Sequence, residues 1–156
     1  MSGKLQSEIK QTKPFENLEE EVLLNLQRTA DAAMRPVEAE IKNHGLSATQ
    51  YNVLRILRGA GESGRTCGEV GDRLITRDPD ITRLLDRMEK RGLIRRERQT
   101  KDRRVIQAYI TDEGLALLKD LDATIPSTIQ STLGHMGERK LRELCRLLEL
   151  ARQSQK

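Results

Sequence analysis

Residues Leu74–Ile110 read L-I-T-R-D-P-D-I-T-R-L-L-D-R-M-E-K-R-G-L-I-R-R-E-R-Q-T-K-D-R-R-V-I-Q-A-Y-I, and three local signals follow one another along them. Asp78-Pro79 predicts a helix start, with Asp78 (or Thr76) accepting from first-turn N–H groups and the proline placed where its missing N–H costs nothing. Ile81, Leu84, Leu85 and Met88 then recur at i, i+3, i+4 and i+7, the stripe of an amphipathic helix over 79–91. At 100° per residue, Pro79, Thr82, Arg83, Asp86, Arg87 and Lys90 fall on the opposite, solvent-facing side. Gly92 is the expected C′ residue that ends the helix.

Two short strands are predicted next, Leu93–Arg98 and Arg104–Ile110, joined by a turn of mostly charged residues. Residues 91–104 hold seven cations (Arg91, Arg95, Arg96, Arg98, Lys101, Arg103, Arg104) against Glu97 and Asp102. That segment is net +5 where the whole chain is +4, so the remaining residues sum to about −1. Charge gathered on one hairpin beside one helix is an electrostatic footprint for phosphates.

A helix with a Thr/Arg face followed by a basic hairpin is a winged helix-turn-helix pattern, and the sequence resembles the MarR family of bacterial transcription regulators. The resemblance is carried by I-T-R-L-L-D-R-M-E-K-R-G-L-I at 81–94, D-R-R at 102–104 and I-T-D-E-G at 110–114, and it spans roughly Leu18 to Gln153. It implies a mainly α fold with a small β-wing. The winged lobe would be flanked by N- and C-terminal helices that join two copies. It also implies a third short strand at Arg65-Thr66. Where the family carries a serine-like capping residue this chain has Arg77, which moves the cap onto a neighbour and frees Arg77 for a phosphate.

Bulk composition agrees with a helical domain. A chain of 156 residues suffices for one domain with a sizeable core. With 2% aromatic residues and no Trp, that core must be aliphatic, which suits packed helices better than a sandwich. No apolar run approaches the ~18–20 residues needed to span a bilayer. Met1–Gln11 lacks the apolar segment of a signal peptide, so a cytoplasmic location with no membrane partner is expected. Cys67 and Cys145 have no metal-ligand spacing and read as small buried hydrophobes. The redox-sensing branch of the family places its reactive cysteine near the first long helix, where this chain has none.

Taken in order, residues 1–14 are polar and aperiodic, the pattern of a flexible arm. Residues 15–45 form the first dimerisation helix, on the period of Leu18, Val22, Leu26, Ala30, Ala33 and Val37, with a kink expected at Pro36. Residues 46–110 form the winged lobe. Ser47 opens its first helix with Gln50 at capping-box spacing, and Tyr51, Val53, Leu54 and Leu57 form the buried face. G-A-G-E-S-G at 59–64 reads as a loop, and Thr66 or Cys67 starts a short support helix held through Val70 and Leu74. Residues 111–156 are the C-terminal dimerisation helices: one starts at Thr111-Asp112-Glu113-Gly114 and is bent or split at Pro126, and a last one carries Leu141, Leu144, Cys145, Leu148 and Ala151. The surplus stripes at the two ends exceed what a lobe of this size can cover, which points to a two-fold dimer.

The candidate DNA contacts are Arg77, Asp80, Thr82, Arg83, Arg87, Arg96, Arg98, Lys101, Arg103 and Arg104. Thr82 and Arg83 are placed for base edges, since arginine can bond guanine O6 and N7 together and threonine can meet an edge or a thymine methyl. Asp80 repels phosphate and reads as a cap or an acceptor from cytosine N4. By resemblance, Arg104, which ends the wing's D-x-R, enters the minor groove, with Asp102 orienting it by an ion pair; Arg103 is a phosphate contact. Family members bind small aromatic or phenolic anions between the dimer helices and the lobe, which maps here to Val37, His44, Tyr51 and Arg55. His44 and His135 are the two histidines, too few for the ligand sets of zinc-responsive relatives, so no metal or other cofactor is expected. No Ser/His/Asp set or Gly-rich phosphate loop is present, and an enzyme is not expected. The expected function is a DNA-binding regulator, a repressor acting as a dimer on an inverted repeat. The alternative from another class is a winged-helix module that binds protein.

Overall fold

The computed structural model describes residues 3–153. In chain order its elements are α1 (Leu5–Glu8), α2 (Leu18–Asn43), α3 (Ala48–Ala60), β1 (Arg65–Thr66), α4 (Cys67–Arg73), α5 (Ile81–Lys90), β2 (Ile94–Arg98), β3 (Ile106–Ile110), α6 (Asp112–Leu133) and α7 (Glu138–Gln153). Single 3₁₀ turns at Gly61–Ser63 and Gly134–Met136 complete it. The mainly helical architecture with a small β-wing is as the sequence predicts.

Capping chemistry sets the helix boundaries. Ser47 and Gln50 form the predicted reciprocal box, with Gln50 N–H on the Ser47 hydroxyl at 3.1 Å and Ser47 N–H on Gln50 Oε1 at 3.0 Å. A second box opens α4: Thr66 Oγ1 accepts from Glu69 N–H at 3.3 Å, and Glu69 Oε2 accepts from Thr66 N–H at 2.8 Å. Those bonds, led by the backbone amide of Thr66, hold the Glu69 carboxyl below its usual range. The box starts a helix that two glycines, Gly68 and Gly71, would otherwise disfavour.

Several boundaries differ from the sequence reading. The 1–14 arm contains the helical turn α1, with Leu5 buried and Gly3 N–H donating to Glu21 Oε1 at 2.9 Å; Met1 and Ser2 lie outside the described residues. The 59–64 loop is largely ordered as the end of α3 and a 3₁₀ turn. Neither proline splits its helix: α2 runs through Pro36 and α6 through Pro126. Beside the second, the Ser127 and Thr128 hydroxyls donate to the Thr124 carbonyl at 2.9 and 3.0 Å.

The chain divides into two units, residues 1–37 with 129–156, and residues 38–128. The 38–128 unit holds nearly all of the buried apolar side chains: Ile41, Leu46, Val53, Leu54, Leu57, Val70, Leu74, Leu84, Leu85, Met88, Leu93, Ile94, Ala108, Leu118, Leu121 and Ile125. It reaches beyond residues 46–110 because Ile41 and the α6 side chains Leu118, Leu121 and Ile125 belong to this core. Its sheet is antiparallel in the order β1-β3-β2, with Arg65 opposite Ala108 and Arg96 opposite Ala108 on the other side. The third strand at Arg65-Thr66 is therefore present. Across the unit, Arg58 on α3 donates to both Asp122 oxygens on α6, and that pairing raises the arginine's pKa.

The other unit is different in character. α7 contains no buried residue, and Leu18, Val22, Leu23, Leu26, Met34, Ile129, Leu147 and Leu150 are all exposed.

The junction between wing and α6 is tight enough to test. Thr111 N–H donates to the Leu93 carbonyl at 3.1 Å, and Thr111 Oγ1 donates to the Gly92 carbonyl at 2.6 Å and accepts from Gly114 N–H at 3.2 Å. A Cβ on Gly114 would lie 2.5 Å from the Leu93 carbonyl oxygen and 2.8 Å from Ile110 Cγ1. The first of these is backbone and cannot swing aside. Gly114→Ala is expected to destabilise the protein by about 1–3 kcal/mol through overpacking, read as a lowered thermal midpoint. An unchanged midpoint would show that the junction relaxes freely.

Candidate nucleic-acid interface

The candidate recognition element is α5. Leu84, Leu85 and Met88 are buried, while Thr82, Arg83, Arg87 and Lys90 are exposed. The helix closes as predicted: Gly92 takes φ +73°, its N–H bonds the Glu89 carbonyl at 2.9 Å, and Leu93 N–H bonds the Met88 carbonyl at 3.1 Å, a Schellman motif with Leu93 buried.

Its start is displaced from the expected place. The helix begins at Ile81, not Pro79, and the N-cap is Asp80, whose Oδ1 accepts from Arg83 N–H at 3.2 Å. Asp78 instead accepts from Asp80 N–H at 2.8 Å, which turns the chain through Pro79 into the cap. The other Asp80 oxygen lies 3.3 Å from Arg83 Nε, so both oxygens of this side chain face the helix's own first turn. Arg83 nonetheless keeps 75% of its side chain exposed. Arg77 is exposed in the preceding turn, which is pinned by Ile75 N–H donating to Asn52 Oδ1 at 2.9 Å.

The wing has the predicted pairing with shorter strands. Arg95 is opposite Tyr109, Glu97 opposite Gln107 and Arg98 opposite Ile106. Arg95 lies 4.3 Å above the Tyr109 ring and ion-pairs with Glu97. At the tip, Gln99 N–H bonds the Val105 carbonyl and Val105 N–H the Asp102 carbonyl, at 2.9 and 3.0 Å. The Asp102 carboxylate accepts from the main-chain N–H of Arg104 at 2.9 Å, and among the described residues no ion pair joins the two side chains. Asp102 therefore shapes the turn and does not hold the Arg104 guanidinium. Arg98 donates to the Arg103 carbonyl at 3.2 Å, and Lys101, Arg103 and Arg104 are exposed.

Thr82 of α5 and Arg104 of the wing line one groove of about 420 Å³, together with Cys67, Leu85 and Ile106. Cys67 is half-buried there, with Sγ 3.6 Å from Thr82 Oγ1, and Cys145 is exposed on α7. Neither cysteine is the buried hydrophobe expected: Cys67 is the first residue of α4 and only half-buried, and Cys145 lies on a helix with no buried residue.

Arg96 departs most from its expected role. Its guanidinium turns inward onto Glu89 and Asp86 of α5, leaving 23% of the side chain exposed, and these partners, Glu89 first, raise its pKa. Glu89 and Asp86 had no role in the sequence reading. The available signal was an acidic pair at i, i+3 on the helix that precedes a strand arginine.

Among the expected effector residues, Tyr51 and Arg55 form a cation–π pair within α3, with the guanidinium 5.7 Å from the ring centroid. His44 Nδ1 bonds the Glu40 carbonyl at 3.0 Å, and Val37 is buried on α2. No cluster of three or more metal-ligating side chains occurs among the described residues. No described helix is long and apolar enough to cross a membrane.

The sequence model of the MarR family matches residues 44–105 of this chain. The transcriptional regulator MhqR of Bacillus subtilis is 30% identical over 105 residues, 67% of this chain and 70% of that protein. The chain belongs to the MarR family. A solved structure of a MarR transcription factor from Planctomyces limnophilus is 42% identical and superposes with a TM-score of 0.65, covering 88% of this chain and 99% of that one. The homoprotocatechuate degradative operon repressor of Escherichia coli is 28% identical over 127 residues, 81% of this chain and 82% of that protein. In MarR-family terms, α4 and α5 are the helix-turn-helix and β2–β3 is the wing. These relatives are named as regulators, and none of the three as an enzyme.

Proposed function

We propose that this protein is a transcriptional repressor of the cytoplasm that binds an inverted-repeat operator as a two-fold dimer and leaves it when a small aromatic or phenolic anion binds. The observation that carries the DNA reading is the shared groove: Thr82 from the helix and Arg104 from the wing open onto the same face, flanked by exposed Arg77, Arg83, Arg87, Arg98, Lys101 and Arg103. Asp80 acts in this reading as the cap that also orients Arg83. A winged helix that binds protein has no support from the relatives, and the cationic wing argues against it.

Arg83 and Arg104 are assigned different tasks. Arg83→Ala is expected to cost about 1–3 kcal/mol and to relax preference at one base position. Arg104→Ala is expected to weaken cognate and random DNA alike and to lower the salt slope by about two, one for each copy in the dimer. Competition binding against operator variants checks both. Equal losses on cognate and random duplexes from both changes would remove Arg83 as a base reader.

The effector reading rests on the stacked Tyr51–Arg55 pair, a flat ring beside a guanidinium that can take a carboxylate, with His44 and Val37 as further candidates. One relative is by name a repressor of a homoprotocatechuate degradative operon.

A further inference from the structure

Arg96 stands at the base of the wing and is bonded four times to the recognition helix. Its Nε and Nη2 donate to Glu89 Oε2 at 3.0 and 2.7 Å, Nη2 also donates to Asp86 Oδ1, and its main-chain N–H donates to Glu89 Oε1 at 2.9 Å. Charge-assisted, multiply bonded contacts of this kind fix geometry as well as attraction. A phosphate contact would require Arg96 to leave two carboxylates, whereas Arg98, Arg103 and Arg104 have none among the described residues.

We propose that Arg96 is a positioning residue: with Glu89 and Asp86 it clamps the wing to the recognition helix, so that Thr82 and Arg104 meet DNA in one fixed relation. The role rests on the DNA-reading surface proposed above. A two-stranded ribbon is long for its attachment. Beyond Gln107, the last β3 residue that β1 pairs with, only two strands remain; from Glu97 opposite it to Lys101 in the turn is about 13 Å at ~3.3 Å per residue, so a swing of about 10° moves the turn by about 2 Å. That displacement is enough to take Arg104 out of hydrogen-bond reach of its target. The clamp sits near the pivot, where the geometry of four bonds best resists that swing.

The clamp makes a prediction of unusual sign. Glu89 is an anion next to a DNA-binding surface, and charge alone says that removing it should tighten binding. If Glu89 positions the wing, Glu89→Gln should weaken binding instead, by about tenfold. Arg96→Met should do the same, and Asp86→Asn, which loses one bond of the four, should weaken it less. In the Arg104→Ala background, Glu89→Gln and Arg96→Met should each change affinity by less than about twofold, because the contact they position is already gone. The probe is a duplex selected from a random library by the wild-type dimer, read by fluorescence anisotropy at fixed salt.

Tighter binding by Glu89→Gln, or full additivity with Arg104→Ala, overturns the positioning role while leaving the DNA reading in place. Additive loss from Arg96→Met with a further drop in salt slope of about two, one per copy, would make Arg96 a phosphate contact. A wild-type protein that selects no duplex overturns the DNA reading, and this inference with it.

Discussion

Replacing Leu23 and Leu147 with glutamate is expected to convert the protein to a monomer and to reduce operator affinity by two to four orders of magnitude. The argument starts from exposure. Leu18 and Leu23 are 69% and 65% exposed on α2, and Leu147 and Leu150 are 46% and 54% exposed on α7, a helix with no buried residue at all. Fully burying one such side chain stabilises by about 1.5–3 kcal/mol, so this set is a strong drive toward association. Left open it would form a patch larger than soluble monomers tolerate. An isologous interface covers the patch on both copies, whereas a glutamate in each stripe would place unpaired charges within it.

The functional loss follows from linkage between the two lobes. Two recognition helices related by a two-fold axis read half-sites about one helical turn, roughly 34 Å, apart. Joining them makes the second contact intramolecular, which multiplies affinity by about 10²–10⁴. Solution mass and footprinting check the prediction together. A double variant that remains dimeric and protects the full operator would refute the assignment of these faces to the dimer.

Raising salt from 50 to 200 mM is expected to weaken DNA binding about a thousandfold. Arg77, Arg87, Arg98, Lys101, Arg103 and Arg104 have no carboxylate partner among the described residues, whereas Arg83, Arg95 and Arg96 pair with Asp80, Glu97 and the Glu89–Asp86 pair. A dimer carries twice that unpaired set. If about half of those cations meet phosphates, log affinity falls with log salt at a slope of roughly −5, which over a fourfold rise in salt gives about three orders of magnitude. A measured slope near −1 would show that the wing does not lie on the phosphate backbone.

The recognition helix was legible in the sequence because its signals are local. The stripe Ile81, Leu84, Leu85, Met88 and the C-terminal Gly92 depend only on helical period and on glycine's access to positive φ, and both hold in the structure. The Ser47–Gln50 box and the strand pairing of the wing are local in the same way. The helix start was not legible to one residue. Asp78 and Asp80 are chemically equivalent caps, and the choice fell to Asp80 because Asp78 bonds Asp80 N–H and bends the chain first.

Longer-range choices lay outside the sequence's reach. Arg95 and Arg96 are adjacent and identical in composition, yet they point to opposite faces of β2. The register that sets Arg96 opposite Ala108 turns it toward Glu89, while Arg95 opposite Tyr109 stacks on the ring. A one-residue slip would exchange the two. Composition therefore placed the positive charge on the hairpin, and only the tertiary structure decided which of those cations are open to phosphate. The physical reason is range: periodicity and capping act within a turn or two of chain, but an arginine's availability depends on carboxylates brought to it by a different element.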